Sequence, residues 1–402
     1  IIGFQTITGL LAGVLIILLS NGLVRYFKNP LLSGFFWLIA FRPLFANINV
    51  SLQYLQVSIG RAKSAAIRNA FFATLRLLVY ALASWALKDI TVILVAFLAF
   101  EIIITFFFGW TFIRERFLIE PYRIDWGKAR EILGYSLPMG IYVLTNSLCR
   151  DVDKMLIGGW YSTEEYAIYA NCATLLPFDI VSNSFLTILV PILTRYFGEK
   201  DYIHGRILFK NYLKIGYYTA FTFTVVCIIL SKEMVLFLYG DKYLSGQNIF
   251  ILYTIVDMIK FANMSIVLSA CGKTKTLMLC SVGALFANVI CNVAFYHLFG
   301  FVGPAIATVL VTVVLTVILT NMSAKSLKTS ICNLLDFKDF AVFICELAIM
   351  GIFCLLARNT LASAGMPPVL ILFLLGVSYI CVVFLLNKRN IVSSMDEINA
   401  LH

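Results

Sequence analysis

Long apolar stretches recur along almost the whole chain, and they restrict the folds that it can adopt. Twelve such stretches each contain at least about 18 residues, enough for a helix to cross a hydrocarbon core of roughly 30 Å. The stretches lie near 2–24, 31–58, 66–87, 90–110, 134–160, 165–193, 212–238, 247–271, 274–299, 301–322, 339–357 and 367–387. Because they take up most of the residues, the sequence predicts an all-α polytopic membrane protein with twelve transmembrane helices and no sizeable soluble domain.

The distribution of charge indicates a membrane, rather than a nucleic acid, as the partner of this chain. Hydrophobic residues make up 61% of the sequence and charged residues only 13%, yet the net charge is +10. The excess of lysine and arginine falls in alternate connections, of which 111–133 and 195–214 are rich in basic residues. Because positively charged loops stay in the cytoplasm, we expect these connections and the C-terminus on the cytoplasmic side. No nucleic-acid partner is expected.

The sequence gives little support to an enzyme. Its ten cysteines and three histidines show no spacing that suits a metal, so we expect neither a metal nor a cofactor. The external connections are short, and no GxxxxGK[ST] phosphate loop occurs. A membrane enzyme, such as a polysaccharide polymerase or glycosyltransferase, is the alternative to a non-enzymatic membrane protein. Such an enzyme would be expected to carry a large external loop or an acidic metal-binding motif.

The helix predicted at 136–160, within the apolar stretch 134–160, carries four charges within five positions. The charged residues are Arg150, Asp151, Asp153 and Lys154. An ionised group in hydrocarbon is costly unless it is paired or hydrated, and these four share one side of the predicted helix. Arg150 with Asp153, and Asp151 with Lys154, also have the i,i+3 spacing of ion pairs. We interpret the cluster as a gate or ion-coupling element of a polar path, in which Arg150 and Lys154 are also candidates for substrate binding.

Five segments of the chain, taken in order, resemble a known family of transporters. They are SLPMGIYVL…DVDKMLIGGW (136–160), YAIYANCATL (166–175), VPILTRYFGEKD (190–201), LYGDKY (238–243) and NVICNVAFYHLFGFVGPAIATVL (288–310). This ordered set is similar to the polysaccharide flippases, or Wzx-type O-antigen transporters, of the multidrug/oligosaccharidyl-lipid/polysaccharide (MOP) exporter superfamily. The resemblance covers roughly residues 30–390.

The resemblance implies a fourteen-helix fold with two lobes of six spans each. Only four spans precede the connection at 111–133, and the chain does not begin with methionine, so we expect an N-terminal truncation of two spans. The similar segments 54–67 and 266–279, which lie six spans apart, agree with two repeated lobes. The implied organisation is an N-lobe at 1–110, a basic cytoplasmic linker at 111–133, a six-helix C-lobe at 134–322, two additional helices at 339–387 and a cytoplasmic tail at 388–402.

The resemblance also implies a function that is not enzymatic. A polysaccharide flippase moves repeat units of O-antigen, capsule or exopolysaccharide across the bacterial cytoplasmic (inner) membrane while they are linked to undecaprenyl pyrophosphate. What is implied further is alternating access, coupling to H⁺ or Na⁺, contact with membrane lipids, and cooperation with a polysaccharide polymerase and a chain-length regulator. The alternative within the same superfamily is a multidrug or lipid II exporter.

Two arginines near the middle of predicted spans are the first candidates for binding the pyrophosphate. Arg42 lies about eleven residues into its span, or roughly 17 Å at about 1.5 Å per residue, and Pro43 follows it. Arg76 is also close to the middle of its span. Arginine suits phosphate because its planar fork donates two parallel hydrogen bonds. Each has a structural alternative, since Arg42 can cap backbone freed by Pro43, and Arg76 can pair with Glu101 of the next span.

Three further residues complete the candidate set. Lys260 is a candidate substrate ligand, although Asp257, one helical turn before it, can pair with it instead. Asp179 follows Pro177 within a predicted span. Both Asp179 and Asp257 are candidates for ion coupling or gating, because a buried carboxylate can alternate between its protonated and ionised forms.

Overall fold

The computed structural model of the protein describes residues 2–27, 30–58, 62–87, 90–114, 126–174, 176 and 180–400, and nearly all of these are helical. Within those ranges no β-strand occurs, so the predicted all-α class is confirmed. The chain forms two compact units, Ile1–Ala129 and Arg130–His402. The helices of the first unit are α1 (Ile2–Tyr26), α2 (Phe36–Ser58), α3 (Ala62–Leu87) and α4 (Ile90–Arg114).

Helix α5 (Trp126–Trp160) leads into the second unit, which consists of many more helices. These are α6 (Thr163–Cys172), α7 (Ile180–Glu199), α8 (Tyr202–Ile229), α9 (Ser231–Leu238), α10 (Gln247–Ile259), α11 (Ile266–Ala270), α12 (Thr274–Phe299), α13 (Gly303–Ser326), α14 (Ile331–Leu334), α15 (Phe337–Ser363) and α16 (Pro368–Ala400). Helix α16 continues as one helix through most of the residues that the sequence assigned to a C-terminal tail.

The apolar character of these helices fits a membrane. Among the described residues, six segments are long and apolar enough to cross a bilayer, and one of them, Thr274–Ser326, comprises α12 and α13. Side chains on the outside of these helices are largely aliphatic and aromatic, as expected of surfaces that face lipid. The chain is therefore a multi-pass membrane protein, whereas the number of twelve spans stays a prediction.

Two glycines of α1 bring its backbone close to α2. Gly9 and Gly13 form the small-xxx-small pattern that lets helices approach each other in a membrane. A Cβ atom added at Gly13 would lie 2.5 Å from the carbonyl oxygen of Ala40, and one added at Gly9 would lie 2.6 Å from Cα of Leu44. Neither position can accept a side chain unless α2 moves.

Gly13→Ala is therefore expected to destabilise the first unit by about 1–3 kcal/mol, because overpacking a close contact forces the backbone to shift. Gly22→Ala on the same helix is the matched control, since a Cβ atom added there has no heavy atom within 4 Å. Alanine is favoured over glycine in a helix by about 1 kcal/mol, so the control should be neutral or slightly stabilising. Thermal unfolding of both variants in detergent checks this. Equal midpoints would contradict the close α1–α2 contact.

Helix α8 is the central helix of the second unit. It is buried along most of its length, and it packs against α7, α10, α15 and α16. Polar contacts fasten the two C-terminal helices to it. Nζ of Lys214 lies 2.6 Å from Oδ2 of Asp339 on α15, and Nδ2 of Asn211 donates to Oε2 of Glu397 on α16 at 2.7 Å. These contacts make α15 and α16 part of the same compact unit as α8.

A buried ion pair joins α9 to α15. Nε of Arg358 lies 2.9 Å and 3.0 Å from the two carboxylate oxygens of Glu233, whose side chain is only 6% exposed. A pair of this kind is more costly to break than an exposed one, because removing one partner leaves a buried charge without compensation.

Arg358→Met is expected to lower the free energy of unfolding by about 3–5 kcal/mol, the usual cost of leaving one member of a buried pair alone. Lys210→Met is the matched control. Its ion pair with Asp336 has side chains that are 38% and 37% exposed, and such pairs contribute about 0–1 kcal/mol. Denaturant titration of the purified variants compares the two losses. A loss from Arg358→Met no larger than that from Lys210→Met would show that the Glu233 contact contributes little.

Two of the predicted spans are interrupted by several consecutive non-helical residues, which corrects the sequence-based expectation of continuous helices. The stretch 165–193 contains α6 and α7, and the stretch 247–271 contains α10 and α11. Hydropathy did not reveal these breaks because the residues around them remain apolar. Irregular backbone at membrane depth is tolerated only where protein covers it or where it lines an aqueous cavity. The interruption at 260–265 is of the second kind.

Candidate functional site

A cavity of about 530 Å³ with a mixed polar and apolar lining lies entirely within the second unit. Residues of α5, of the interruption at 260–265 and of α13 line it, among them Asn146, Asn263, Thr312 and Thr316. Its volume falls within the range of roughly 300–1,000 Å³ that is usual for small-molecule sites. Amide and hydroxyl groups around a cavity in an otherwise apolar helix bundle make it the first candidate for the path of a polar cargo.

Two cations and one carboxylate that the sequence singled out line this cavity together: Arg150, Lys260 and Asp257. Nη2 of Arg150 donates to Oγ of Ser147 at 3.2 Å. Oδ2 of Asp257 accepts a hydrogen bond of 2.8 Å from the backbone N–H of Leu176. Leu176 lies between α6 and α7, so this bond connects the two interrupted stretches. The ion pair predicted between Asp257 and Lys260 stays a prediction.

Hydrogen bonds from neighbouring helices hold the interruption at 260–265 in place. The backbone N–H of Asn263 donates to the hydroxyl of Tyr212 at 2.8 Å. The hydroxyl of Ser323 donates to the carbonyl oxygen of Met264 at 3.0 Å. Because these bonds satisfy backbone groups that a continuous helix would pair internally, the cavity wall has a defined shape.

Asp153 does not form the predicted ion pair with Arg150. Its carboxylate is fully buried, and Oδ2 accepts hydrogen bonds from the hydroxyl of Tyr169 at 2.9 Å and from the hydroxyl of Tyr253. Between these two described residues, Arg150 and Asp153, no ion pair forms, and Arg150 donates to Ser147 instead. The physical reason is that phenol hydroxyls buried on α6 and α10 require an acceptor, and Asp153 provides it.

Two further charged candidates of the second unit, Lys154 and Asp151, do not line the cavity. Nζ of Lys154 lies 3.2 Å from Oδ1 of Asp151, so the predicted i,i+3 ion pair is confirmed. The Asp151 side chain is 58% exposed, and neither residue borders the 530 Å³ cavity. Asp179 lies outside the residues that the structure describes.

Arg76, one of the two candidate arginines of the first unit, pairs with a carboxylate. Its Nη2 lies 2.7 Å from Oε1 of Glu101, whose side chain is 7% exposed. Nδ2 of Asn49 donates to Oε2 of the same carboxylate at 3.1 Å. The predicted ion pair between α3 and α4 is thus confirmed, and any binding role of Arg76 stays a prediction.

Arg42 has a different environment. Its Cζ lies 4.8 Å from the centroid of the Phe97 ring, and Phe97 stacks on Tyr80 with ring centroids 4.8 Å apart. In the described part of the chain no carboxylate lies within ion-pair distance of Arg42. A guanidinium that stacks on an aromatic face keeps its N–H groups directed outward from its edge, where an anion can accept them.

Sequence reasoning missed the aromatic residues of both sites. Phe97 precedes Glu101 by four residues on α4, and Tyr80 follows Arg76 by four residues on α3. In each case the i,i+4 spacing places the aromatic residue and the charged residue on one helix face, and this spacing could have identified the aromatic residue. No comparable local signal connects Asp153 to Tyr253, because one hundred residues separate them.

A model of one protein family, described as polysaccharide biosynthesis protein, matches residues 1–247, which is more than half of the 402 residues. The chain belongs to that family. No curated protein matches the sequence.

Two solved structures share the fold. One is the lipid II flippase MurJ in an inward closed conformation, with a TM-score of 0.68 and 16% identity over 97% of this chain and 83% of that one. The other is a MOP superfamily transporter from Pyrococcus furiosus, with a TM-score of 0.64 and 14% identity over 81% of this chain and 77% of that one. At these identities the likeness shows the fold alone. The predicted relation to polysaccharide biosynthesis proteins is thereby confirmed, and the chain shares its fold with these two solved structures.

Proposed function

We propose that the protein is a flippase for oligosaccharide repeat units linked to undecaprenyl pyrophosphate. It moves them from the cytoplasmic to the outer leaflet of the bacterial cytoplasmic membrane by alternating access. The observation that carries this proposal is the cavity of the second unit, where Arg150 and Lys260 stand among amide and hydroxyl groups beside an interrupted helix. A cavity with cationic, amide and hydroxyl groups in an apolar bundle suits an anionic cargo that is rich in hydroxyl groups. The match to a polysaccharide biosynthesis family supports a glycan.

The pyrophosphate of the cargo is assigned to Arg42. Its guanidinium rests on Phe97, and in the described residues it has no carboxylate partner to compete with a phosphate. The fork of arginine matches two phosphate oxygens. Arg76 is assigned a supporting role, because its guanidinium already pairs with Glu101. Asn49 donates to the same carboxylate.

Ion coupling is assigned to Asp153. The carboxylate is fully covered by protein and bonded to two phenols, so its ionisation state affects the packing of α5, α6 and α10 together. A group whose charge changes the contacts among three helices can link H⁺ or Na⁺ binding to a change of conformation. Asp257, which ties the two interrupted stretches together, is assigned to gating.

A reconstitution assay tests the function. The protein is placed in liposomes with an undecaprenyl-pyrophosphate-linked trisaccharide that carries a fluorophore, and an impermeant quencher reports the leaflet in which the label resides. We expect the labelled lipid to reach both leaflets much faster than in protein-free liposomes. Lipid II and a cationic dye serve as parallel cargoes. Transport of either of these, without transport of the lipid-linked trisaccharide, would replace our proposal with an exporter of the same fold.

A further inference from the structure

The cavity of the second unit differs in its charge balance from a site built only for pyrophosphate. Arg150 and Lys260 contribute two positive charges, and Asp257 contributes a negative one. A diphosphate carries at least two negative charges and only acceptor oxygens at neutral pH, so a carboxylate in the same cavity repels it. A ligand with a single negative charge brings the total charge of the ligand and these three residues to zero.

The groups around these charges favour a sugar. Asn146, Asn263, Ser265 and Thr312 present amides and hydroxyls, which can donate to and accept from sugar hydroxyl groups. The Asp257 carboxylate is held by the N–H of Leu176, and carboxylates are strong acceptors for hydroxyl donors. Each of these features recognises hydroxyl groups, which a diphosphate lacks.

Apolar side chains complete the lining. Val143, Leu315 and Leu319 stand in the same cavity as the polar groups, together with the aromatic ring of Tyr142. The faces of a pyranose ring carry C–H groups, so a wall of mixed polar and apolar character suits a sugar ring better than a hydrated ion. The volume of about 530 Å³ is in the range for a small organic ligand.

We infer that this cavity binds an acidic sugar of the transported glycan, of the uronic acid class, with its carboxylate between Arg150 and Lys260. The inference rests on the proposed function, since the sugar is part of the lipid-linked cargo. Arginine is the residue of choice here because its two parallel N–H groups match the two oxygens of a carboxylate. Asp257 then accepts from a hydroxyl of the same sugar.

Binding is tested first, without transport. Purified protein in detergent is titrated with D-glucuronate and with D-glucose, and binding of each sugar is followed by saturation-transfer NMR, with inorganic phosphate then added as a competitor. We expect glucuronate to bind at least tenfold more tightly than glucose, since hydrogen bonds to charged groups are the strong ones. Phosphate should not displace glucuronate. Equal binding of glucuronate and glucose overturns the inference, and displacement by phosphate makes this a phosphate site instead.

The double variant Arg150→Gln, Lys260→Gln should lose the preference for glucuronate over glucose, and Arg150→Gln alone should reduce it. Lys388→Gln is the matched control, because Lys388 is an exposed lysine of α16 that does not border the cavity. The control should keep the preference of the wild type. A double variant that folds, as judged by its unfolding midpoint, and still prefers glucuronate would overturn the inference.

Transport then separates this inference from the proposed function. Two lipid-linked trisaccharides that differ only by glucuronate in place of glucose are compared in liposomes. We expect faster flipping of the acidic one by about tenfold, and a ratio near one in the double variant. Equal flipping of both by the wild type overturns the acidic-sugar site but leaves the flippase standing. If neither moves while glucuronate still binds at Arg150 and Lys260, the proposed function fails and the site remains.

Discussion

Arg42→Ala is expected to slow flipping of a pyrophosphate-linked glycan by about 10- to 100-fold, while the protein stays folded. The loss follows from the removal of charge-assisted hydrogen bonds to phosphate, which contribute about 1.5–3 kcal/mol. Stability should change little, because the stacking contact with Phe97 is a cation–π interaction of about 0.5–1 kcal/mol at an exposed position. The liposome assay measures the rate, and thermal unfolding in detergent measures the stability.

Arg76→Ala is the contrasting variant, and it should show the opposite pattern. Removal of this guanidinium leaves the buried Glu101 carboxylate with Asn49 as its remaining described partner. An uncompensated buried charge costs about 3–5 kcal/mol, so this variant should unfold more easily. The double variant Arg76→Ala, Glu101→Ala should recover much of that stability, because it removes both charges.

The comparison has clear outcomes. If Arg42→Ala flips at the wild-type rate, Arg42 is not a pyrophosphate ligand, and its contact with Phe97 is structural. If Arg76→Ala remains stable but loses flipping, the ligand role moves from Arg42 to Arg76. Arg42→Lys refines the result, since a lysine keeps the charge without the planar fork and should retain part of the rate.

The sequence specifies the fold class and several contacts well because these depend on local patterns. Apolar stretches of sufficient length must be helical in a membrane, since every backbone polar group needs a partner there. The pair of Lys154 with Asp151 follows from i,i+3 spacing on one helix. The pair of Arg76 with Glu101 follows from two central, oppositely charged residues on consecutive apolar helices, each of which needs a partner in hydrocarbon.

The interrupted helices and the partner of Asp153 are less accessible to sequence reasoning. The break at 260–265 depends on donors and acceptors of α8 and α13, such as Tyr212 and Ser323, and the apolar residues on both sides of it make the whole stretch resemble one span. Spacing on its own helix predicts Arg150 as the partner of Asp153, but buried phenols from other helices donate to its carboxylate instead. Tertiary contacts of this kind override local spacing because burial makes an unsatisfied hydroxyl costly.

Asp153→Asn is expected to abolish the dependence of flipping on an ion gradient. An amide cannot exchange a proton near neutral pH and carries no charge for a sodium ion, yet its oxygen can still accept from Tyr169 or Tyr253. In liposomes with an imposed H⁺ or Na⁺ gradient, the wild type should flip faster than without a gradient. In the variant this ratio should fall to about one, and the unfolding midpoint should show whether the helix contacts survive.

Asp151→Asn is the matched control, since Asp151 lies on the same helix two residues away, is mostly exposed and pairs with Lys154. It should keep the gradient dependence, because an exposed pair contributes only about 0–1 kcal/mol and touches none of the buried phenols.

Asp153→Ala separates structure from coupling, because it leaves two buried hydroxyls without their acceptor. Each orphaned hydroxyl costs about 1–3 kcal/mol, so this variant should be markedly less stable than Asp153→Asn. If gradient-driven flipping persists in a folded Asp153→Asn protein, Asp153 has a role in packing alone, and another carboxylate must couple the ion. Asp257 is then the next candidate, because it connects the two helix interruptions.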